Sequence, residues 1–239
     1  MKKLLVGLAL LAVMATQAAA FDKAHLAKLR ALKTCEKCDL SGANLKGELL
    51  TGMNLTGADL ADANLKGATL RGTILRDATL TGANLEKAKL GGAVLTGANL
   101  KGARLRWASL SVLKMRGDAA DLSGATLTDA DLRNAYLRKA VLIGADLTEA
   151  DLRGASLVDA NLTGAILKGT NLSKANLAGT NLTETDLDGA NLSEANLSGA
   201  NFEKADLSGA NLKNAKLKGV IFCKTKLPWG EENAGCKNP

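Results

Sequence analysis

The sequence predicts an all-β solenoid built from short strands that are joined by tight turns. The main observation is an apolar residue at every fifth position, first over residues 40–115 and then, two residues out of step, over 122–227. Leucine fills 35 of these 38 central positions, and the exceptions are Met115, Phe202 and Phe222. The second observation is that the residue two places before the centre is alanine in 28 of the 38 units. A large and a small apolar residue therefore recur together, as the lining of a narrow core requires.

A period of five fits neither of the long regular elements. In an α-helix, which repeats about every 3.6 residues, successive leucines would lie on different sides. In a long strand, side chains alternate between the two faces, so leucines five apart would point in opposite directions. A three-residue strand followed by a two-residue turn keeps both apolar residues inside. Repeated turns of one hand then wind the chain into a coil.

A typical unit reads Ala195-Asn196-Leu197-Ser198-Gly199, and the residue before the central position is Asn or Asp in 21 of the 38 units. Units of this form, A(D/N)LSG, resemble the pentapeptide repeat family over residues 38–227. The resemblance implies a right-handed quadrilateral β-helix with four pentapeptides per coil. It also implies about 9–10 coils and, at the usual spacing of strands, a rod roughly 45 Å long. Asparagines 20 residues apart would then form amide ladders, as in the column that contains Asn161 and Asn181.

The chain before the repeat predicts an export signal and a cap. Residues 1–20 combine two early lysines, an apolar stretch and three alanines, which is typical of a cleavable signal peptide. We therefore expect a periplasmic or secreted protein with no transmembrane segment in the mature chain. Residues 21–37 carry leucines at helical spacing, which predicts a short helix that caps the first coil. His25 in this segment, the single histidine, is expected to be an ordinary cap residue.

Four cysteines lie in pairs at the two ends of the predicted rod. Cys35 and Cys38 form a CxxC motif, which is compatible with a structural disulfide, a redox site or half of a metal site. Cys223 and Cys236 lie at the other end, too far away for bonds between the pairs in a rod roughly 45 Å long. An oxidising compartment favours two local disulfides. We expect the bonds Cys35–Cys38 and Cys223–Cys236, with a redox role as an alternative and no metal site.

Three departures from the repeat carry further predictions. Glu48 falls at an inward position, and we expect local distortion of this unit there rather than a partly buried, hydrogen-bonded carboxylate. Leu122 lies seven positions after Met115, where the repeat would give five, and we place a two-residue insertion at 118–119. Residues 228–239 form a C-terminal cap or tail, in which Trp229 is expected to cover the open core.

The most uneven charge lies around the insertion. A basic band with two aromatic residues is a candidate site for a polyanion or an acidic partner, although a solvated face that keeps the rod soluble would look the same. The candidate residues are Lys101, Arg104, Arg106, Trp107, Lys114, Arg116, Arg133, Tyr136 and Arg138.

The sequence contains no pattern typical of an enzyme, and we predict no catalytic residues and no cofactors. Serines and threonines lie at repeat corners with no histidine nearby to activate them. We expect a non-enzymatic structural or binding protein of the bacterial cell envelope. Its partner would be an unknown protein or an envelope component. The alternative is a polyanion binder, for lipopolysaccharide or another glycan, that uses the basic band at 101–139.

The resemblance raises one further alternative, a DNA mimic that interacts with gyrase. Such mimicry needs a negative surface, whereas the formal net charge here is +7. No nucleic-acid partner is expected, and a homodimer would form through a rod end. Net charge and targeting therefore favour a binding rod over a DNA mimic.

Overall fold

The computed structural model describes residues 23–111, 119–233 and 235–236 of the chain. Most of this length is a coil of isolated parallel β-bridges, each formed by one residue of a repeat unit. Regular elements are confined to the two ends. They are α1 (Lys23–Leu32), β1 (Thr225–Leu227) and β2 (Gly230–Glu232), and the two strands pair antiparallel.

The bridges stack residues that are 20 apart, as in Asp39 with Asp59 and Asn44 with Asn64. Each turn of the coil therefore contains four five-residue units. Four columns of bridges run along the rod, and we name them as sides. Side A begins at Asp39, side B at Asn44, side C at Leu49 and side D at Thr34. The two residues after each central leucine form a corner, which is named by the two sides that it joins.

Most corners are closed by a backbone hydrogen bond, such as the one from the amide of Ala43 to the carbonyl of Leu40 (3.0 Å). The second corner residue has a left-handed backbone at nearly all described corners, with φ of 65° at Gly42; Gly209 is an exception. Glycine adopts this conformation without steric cost, which explains why it recurs two residues after the leucine. Charged residues and asparagine fill most of the remaining corners.

The asparagine and aspartate residues before each leucine hold the corners in place. In all 21 such units, the side-chain Oδ1 accepts a hydrogen bond from the amide two residues later. This is an Asx turn. The predicted amide ladders are present only in part. Asn196 donates to Asn176 (3.1 Å), whereas Asn181 donates to the hydroxyl of Thr163 instead (3.0 Å).

Removing one Asx turn should weaken the fold measurably. Asn171 accepts hydrogen bonds from both the amide (3.1 Å) and the hydroxyl (2.8 Å) of Ser173. We expect Asn171→Ala to lower the free energy of unfolding by about 1 kcal/mol. Urea denaturation measures this loss. Ser156→Ala is the control, because Ser156 occupies the equivalent position before a central leucine but has no amide oxygen to form an Asx turn. Equal losses in both variants would contradict this role.

The core is one continuous stack of leucine and alanine along the rod. Threonine replaces alanine at five buried positions, and its hydroxyl donates to a backbone carbonyl, as from Thr170 to Leu147 (2.7 Å). No buried side-chain polar atom lacks a hydrogen bond in the part of the chain that the structure describes. The coil therefore tolerates a hydroxyl at the alanine position.

The N-terminal end is covered and its register is regular. Leu29 of α1 is buried and packs on the core of the first coils. Glu48 does not distort the coil, since Leu49 still bridges Thr69. Its carboxylate instead pairs with Arg30 of α1 at 2.7 Å. The expected local distortion at Glu48 is therefore wrong, and the alternative of a partly buried, hydrogen-bonded carboxylate is right.

The C-terminal end is less well covered. Leu212, Leu217 and Phe222 of the last coil are only partly buried, although Phe222 stacks on Phe202. Trp229 is 66% exposed, so the prediction that it covers the core is wrong. The hairpin of β1 and β2 directs this residue into solvent instead.

The coil boundaries differ from those predicted at two places. The first bridge joins Thr34 to Asn54, so the coil begins one unit before Cys38. Across the insertion, Val94 bridges Asp121, an offset of 27 residues, whereas a two-residue insertion at 118–119 would give an offset of 22. The insertion therefore contains seven residues, and its size was predicted wrongly. Most of it, including Met115, lies outside the described residues.

Candidate functional site

The register sorts the charged side chains onto different sides of the rod. Among the described outward residues, side A and the A/B corner carry nine acidic and three basic residues. The acidic ones are Asp39, Asp59, Asp62, Asp129, Asp146, Glu149, Asp186, Asp188 and Asp206, and the basic ones are Lys101, Lys168 and Lys226.

The stretch from side B to the C/D corner has the opposite charge, with fifteen basic and five acidic residues among those described. The basic ones are Lys46, Lys66, Arg71, Lys87, Lys89, Arg104, Arg106, Arg133, Arg138, Lys139, Arg153, Lys174, Lys213, Lys216 and Lys218. The acidic ones are Glu86, Asp131, Asp151, Asp159 and Glu194. We call this stretch the basic half of the rod.

The predicted basic band wraps around the perimeter rather than lying on one face. Lys101 is at the A/B corner and Arg104 on side B, whereas Arg106, Trp107 and Arg133 share the B/C corner. Tyr136 follows on side C and Arg138 at the C/D corner, where it pairs with Asp159 at 3.3 Å. Lys114 and Arg116 lie outside the described residues. The structure thus brings three of the nine candidates together at one corner.

A groove of about 480 Å³ lies along this B/C corner, and we call it the corner groove. Arg106 and Arg133 line it together with two basic residues that the sequence analysis missed, Arg153 and Lys174. The remaining lining residues are Asn134, Gly154 and Ser173. The signal that could have found Arg153 is the 20-residue period, since it stacks directly after Arg133.

Two aspartates of side B alternate with the arginines of the corner groove. Asp131 receives hydrogen bonds from Nε (2.8 Å) and Nη2 (2.7 Å) of Arg133. Asp151 receives them from Nε (2.9 Å) and Nη2 (2.6 Å) of Arg153, and it also lies 3.5 Å from Arg133. These ion pairs raise the pKa of both arginines. Burial raises the pKa of Asp131, but the hydrogen bonds from Arg133 outweigh it, so this pKa lies below its usual value.

The lowered pKa of Asp131 predicts a loss of stability in acid. A carboxylate with a depressed pKa in the folded state stabilises the fold above its unfolded pKa of about 3.9, and this contribution is lost as the pH falls below that value. We therefore expect Asp131→Asn, which keeps the Asx turn, to lose less stability than the wild type between about pH 6 and pH 3. Urea denaturation at both pH values measures the difference. Asp77→Asn is the control, and equal pH dependence in all three proteins would refute the prediction.

Trp107 is the unusual residue of this corner. It has φ of 59° and is 42% exposed. Among the described non-glycine residues with a left-handed backbone, it is the only aromatic one. Bulky residues rarely adopt this conformation, and backbone strain of this kind clusters at functional sites. The strain makes Trp107 a candidate for a role in binding.

Both predicted disulfides are present. The Cα atoms of Cys35 and Cys38 are 5.3 Å apart and those of Cys223 and Cys236 are 4.6 Å apart. Cys35 and Cys38 are buried, so the first bond is shielded from a redox partner. His25 accepts a hydrogen bond at Nδ1 from the amide of Asp39 (3.1 Å), which is a structural role.

Within residues 23–111, 119–233 and 235–236, no group of three or more His, Cys, Asp or Glu side chains could hold a metal ion. No helix in the same ranges is long and apolar enough to cross a bilayer.

The fold has recognisable relatives. A family model described as pentapeptide repeats matches residues 38–77, 73–111, 118–154, 155–193 and 190–227. Comparison with curated proteins finds no match.

Three solved structures show the range of likeness. HetL, a pentapeptide repeat protein involved in heterocyst differentiation regulation in the cyanobacterium Nostoc sp. strain PCC 7120, is 32% identical; the match covers 86% of this chain and 96% of that chain (TM-score 0.30). Rfr23 from the cyanobacterium Cyanothece 51142 is 28% identical, with 82% and 92% covered (TM-score 0.32). QnrB1, a plasmid-mediated fluoroquinolone resistance protein, is 22% identical, with 68% and 92% covered (TM-score 0.45).

Proposed function

The chain belongs to the pentapeptide repeat family, and from this premise we propose that it is a non-enzymatic binding rod of the bacterial cell envelope. The coil is right-handed and quadrilateral in cross-section, with α1 as its N-terminal cap. Partners bind to the outer surface, because leucine and alanine fill the interior. Repeat proteins commonly offer extended surfaces of this kind to their partners.

Export to an oxidising compartment is part of this proposal. Residues 1–20 act as a cleavable signal peptide, and the mature protein is periplasmic or secreted. Two disulfides in a chain of this size support such a compartment. The test is cell fractionation with mass spectrometry. We expect a mature N-terminus at Phe21 in the periplasm or the medium, and an intact Met1 in the cytoplasm would overturn this part.

The observation that carries the binding role is the segregation of charge. Fifteen basic and five acidic residues on the basic half make it suited to a polyanion such as lipopolysaccharide or another envelope glycan. A gyrase-interacting DNA mimic would have to use side A, where acidic residues predominate.

Retention on immobilised lipopolysaccharide tests the polyanion role. The first variant changes Arg104, Arg106 and Arg153 to Gln on the basic half. The matched control changes Arg76, Lys168 and Lys204 to Gln elsewhere, with the same loss of charge. We expect salt-sensitive retention of the wild type and the control but not of the first variant. Equal retention of all three proteins would refute a site on the basic half.

A second contact surface is the C-terminal end of the rod, through which we expect a homodimer. The partly buried side chains of Leu212, Leu217 and Phe222 leave apolar surface there. Stacking against a second copy would cover this surface and the open strand edge. Analytical ultracentrifugation tests it. A dimer that Leu217→Lys converts to a monomer is expected, and a wild-type monomer at all concentrations would exclude it.

A further inference from the structure

The corner groove runs along the rod axis, because its second corner position holds short residues in two consecutive coils. Asn134 and Gly154 occupy that position between Trp107 at one end and Lys174 at the other. Backbone hydrogen bonds fix this order, since the amide of Trp107 donates to Arg133 (3.2 Å) in the next coil. Three coil steps of about 4.8 Å give the groove a length of roughly 14 Å. It is therefore long enough for a short linear ligand.

We propose that the corner groove binds an anionic oligosaccharide, whose acidic groups contact the three arginines and one of whose sugar rings packs on Trp107. This inference rests on the proposed function and assigns its ligand class and residues. The rod would hold the glycan chain parallel to its own axis. Successive acidic groups of the glycan would then meet arginines in successive coils.

The arginines are positioned before any ligand arrives. Each pair described above uses Nε and Nη2, and within the described residues no protein group accepts a hydrogen bond from Nη1 of Arg133 or Arg153. Arg106 lines the groove and forms no salt bridge with any described residue, although its charge helps to lower the pKa of Glu86 and of Asp131. Guanidinium groups held in place lose less entropy on binding and match carboxylates or phosphates geometrically. Asp131 and Asp151 are therefore positioning residues.

The exposed side chain of Trp107 indicates a ligand that contains rings as well as charges. Trp107 does not line the groove itself, but it is 42% exposed and directly follows Arg106 at the same corner, so its indole offers a flat apolar surface beside the groove. The chain accepts backbone strain at this corner, whereas Asn134 and Asn214 occupy equivalent positions at lower steric cost. A single-stranded nucleic acid would need several aromatic side chains, on which successive bases could stack. Among the described residues, the B/C corner has a single aromatic residue, Trp107. An acidic glycan fits this combination better.

The direct test uses the purified full-length protein and oligogalacturonate, a linear acidic sugar, in titration calorimetry at low salt. The neutral control ligand is the methyl-esterified oligogalacturonate, which keeps the sugar rings and removes the charges. Inorganic phosphate and a thymidine oligonucleotide are the other probes. We expect oligogalacturonate to bind and its methyl ester not to bind. Equal binding of both sugars, or tighter binding of the oligonucleotide, would overturn the assignment.

Single substitutions then locate the site. Arg106→Gln should weaken oligogalacturonate binding about tenfold or more, whereas Arg76→Gln removes the same charge from the D/A corner and should have little effect. Trp107→Asn should also weaken binding while the fold is kept, because asparagine adopts the same backbone at Asn134. Equal effects of Arg106→Gln and Arg76→Gln would show attraction by net charge alone and would refute the groove.

Asp151→Asn separates positioning from net charge. It removes a negative charge next to the groove, so simple electrostatics predicts tighter binding. The substitution also breaks the ion pair that holds the Arg153 side chain in place. Because a mobile arginine loses more entropy on binding, we expect binding to weaken severalfold. The Asx turn survives, since asparagine is common at this position. Tighter binding by Asp151→Asn would contradict the positioning role.

The two proposals can fail separately. Retention on lipopolysaccharide that depends on the basic half, together with no binding of oligogalacturonate, would leave the binding rod standing and remove the glycan groove. If both triple variants are still retained on lipopolysaccharide, the result would count against the basic half itself. Both measurements require that circular dichroism and thermal unfolding show the variants to be folded.

Discussion

Replacing Leu157 by alanine is expected to lower the free energy of unfolding by about 2–5 kcal/mol. Leu157 is fully buried in the middle of the rod. Its backbone cannot move inward to fill the cavity, because the amides of Leu137 and Leu157 each donate to the adjacent coil (2.7 Å). The loss should therefore include the cavity cost as well as the lost burial. Urea denaturation followed by circular dichroism measures it.

The control for this prediction is the same substitution at Leu49, which is 74% exposed on side C. Leu49→Ala removes little buried surface and should change stability by less than about 0.5 kcal/mol. A small loss for Leu157→Ala would mean that the coil collapses around the cavity. The backbone of the neighbouring coils would then deform more easily than expected from the regular β-bridges between them.

The second large effect is expected on removal of the C-terminal disulfide. The double variant Cys223→Ser and Cys236→Ser opens a loop whose ends are 13 residues apart in the chain. By the chain-entropy estimate, the bond contributes about 3 kcal/mol. The last coil already has partly exposed leucines, so the loss should appear there first. Hydrogen exchange at the amides of Lys216 and Ile221, which pair with the preceding coil, reports on this fraying.

The two disulfides should also differ in their response to reductant. Cys236 is partly exposed, whereas Cys35 and Cys38 are buried, so mild reductant should open the C-terminal bond first. Thiol labelling with mass spectrometry would identify the order. Faster reduction of Cys35–Cys38 would revive the redox alternative. Unchanged exchange at Lys216 in the double serine variant would show that the C-terminal bond does not stabilise the last coil.

The fold could be predicted from the sequence to an unusual extent, because every unit repeats the same local solution. The period of five, the inward leucine and alanine, the glycine corners and both disulfides were all foreseen. The size of the insertion was not, since only the pairing of Val94 with Asp121 shows the register across it. The Asx turns were also missed, because an outward asparagine has no partner in the sequence alone.

The candidate site was only partly predicted. Nearness in sequence grouped Lys101 with Arg104, although the coil places them on different parts of the perimeter. Stacking grouped Arg106 with Arg133 and Arg153, which are 27 and 47 residues further along the chain. The sequence shows the carboxylates of Asp131 and Asp151. Only the structure shows that they pair with the arginines of the groove.

The sequence by itself determined the coil, because a leucine and an alanine that recur every five residues can be buried together in no other regular structure. It also determined the basic net charge and which residues close the two ends. The tertiary structure decided which charges meet. The register of one coil on the next, shifted by the seven-residue insertion, converts scattered basic residues into a groove at one corner and leaves side A acidic.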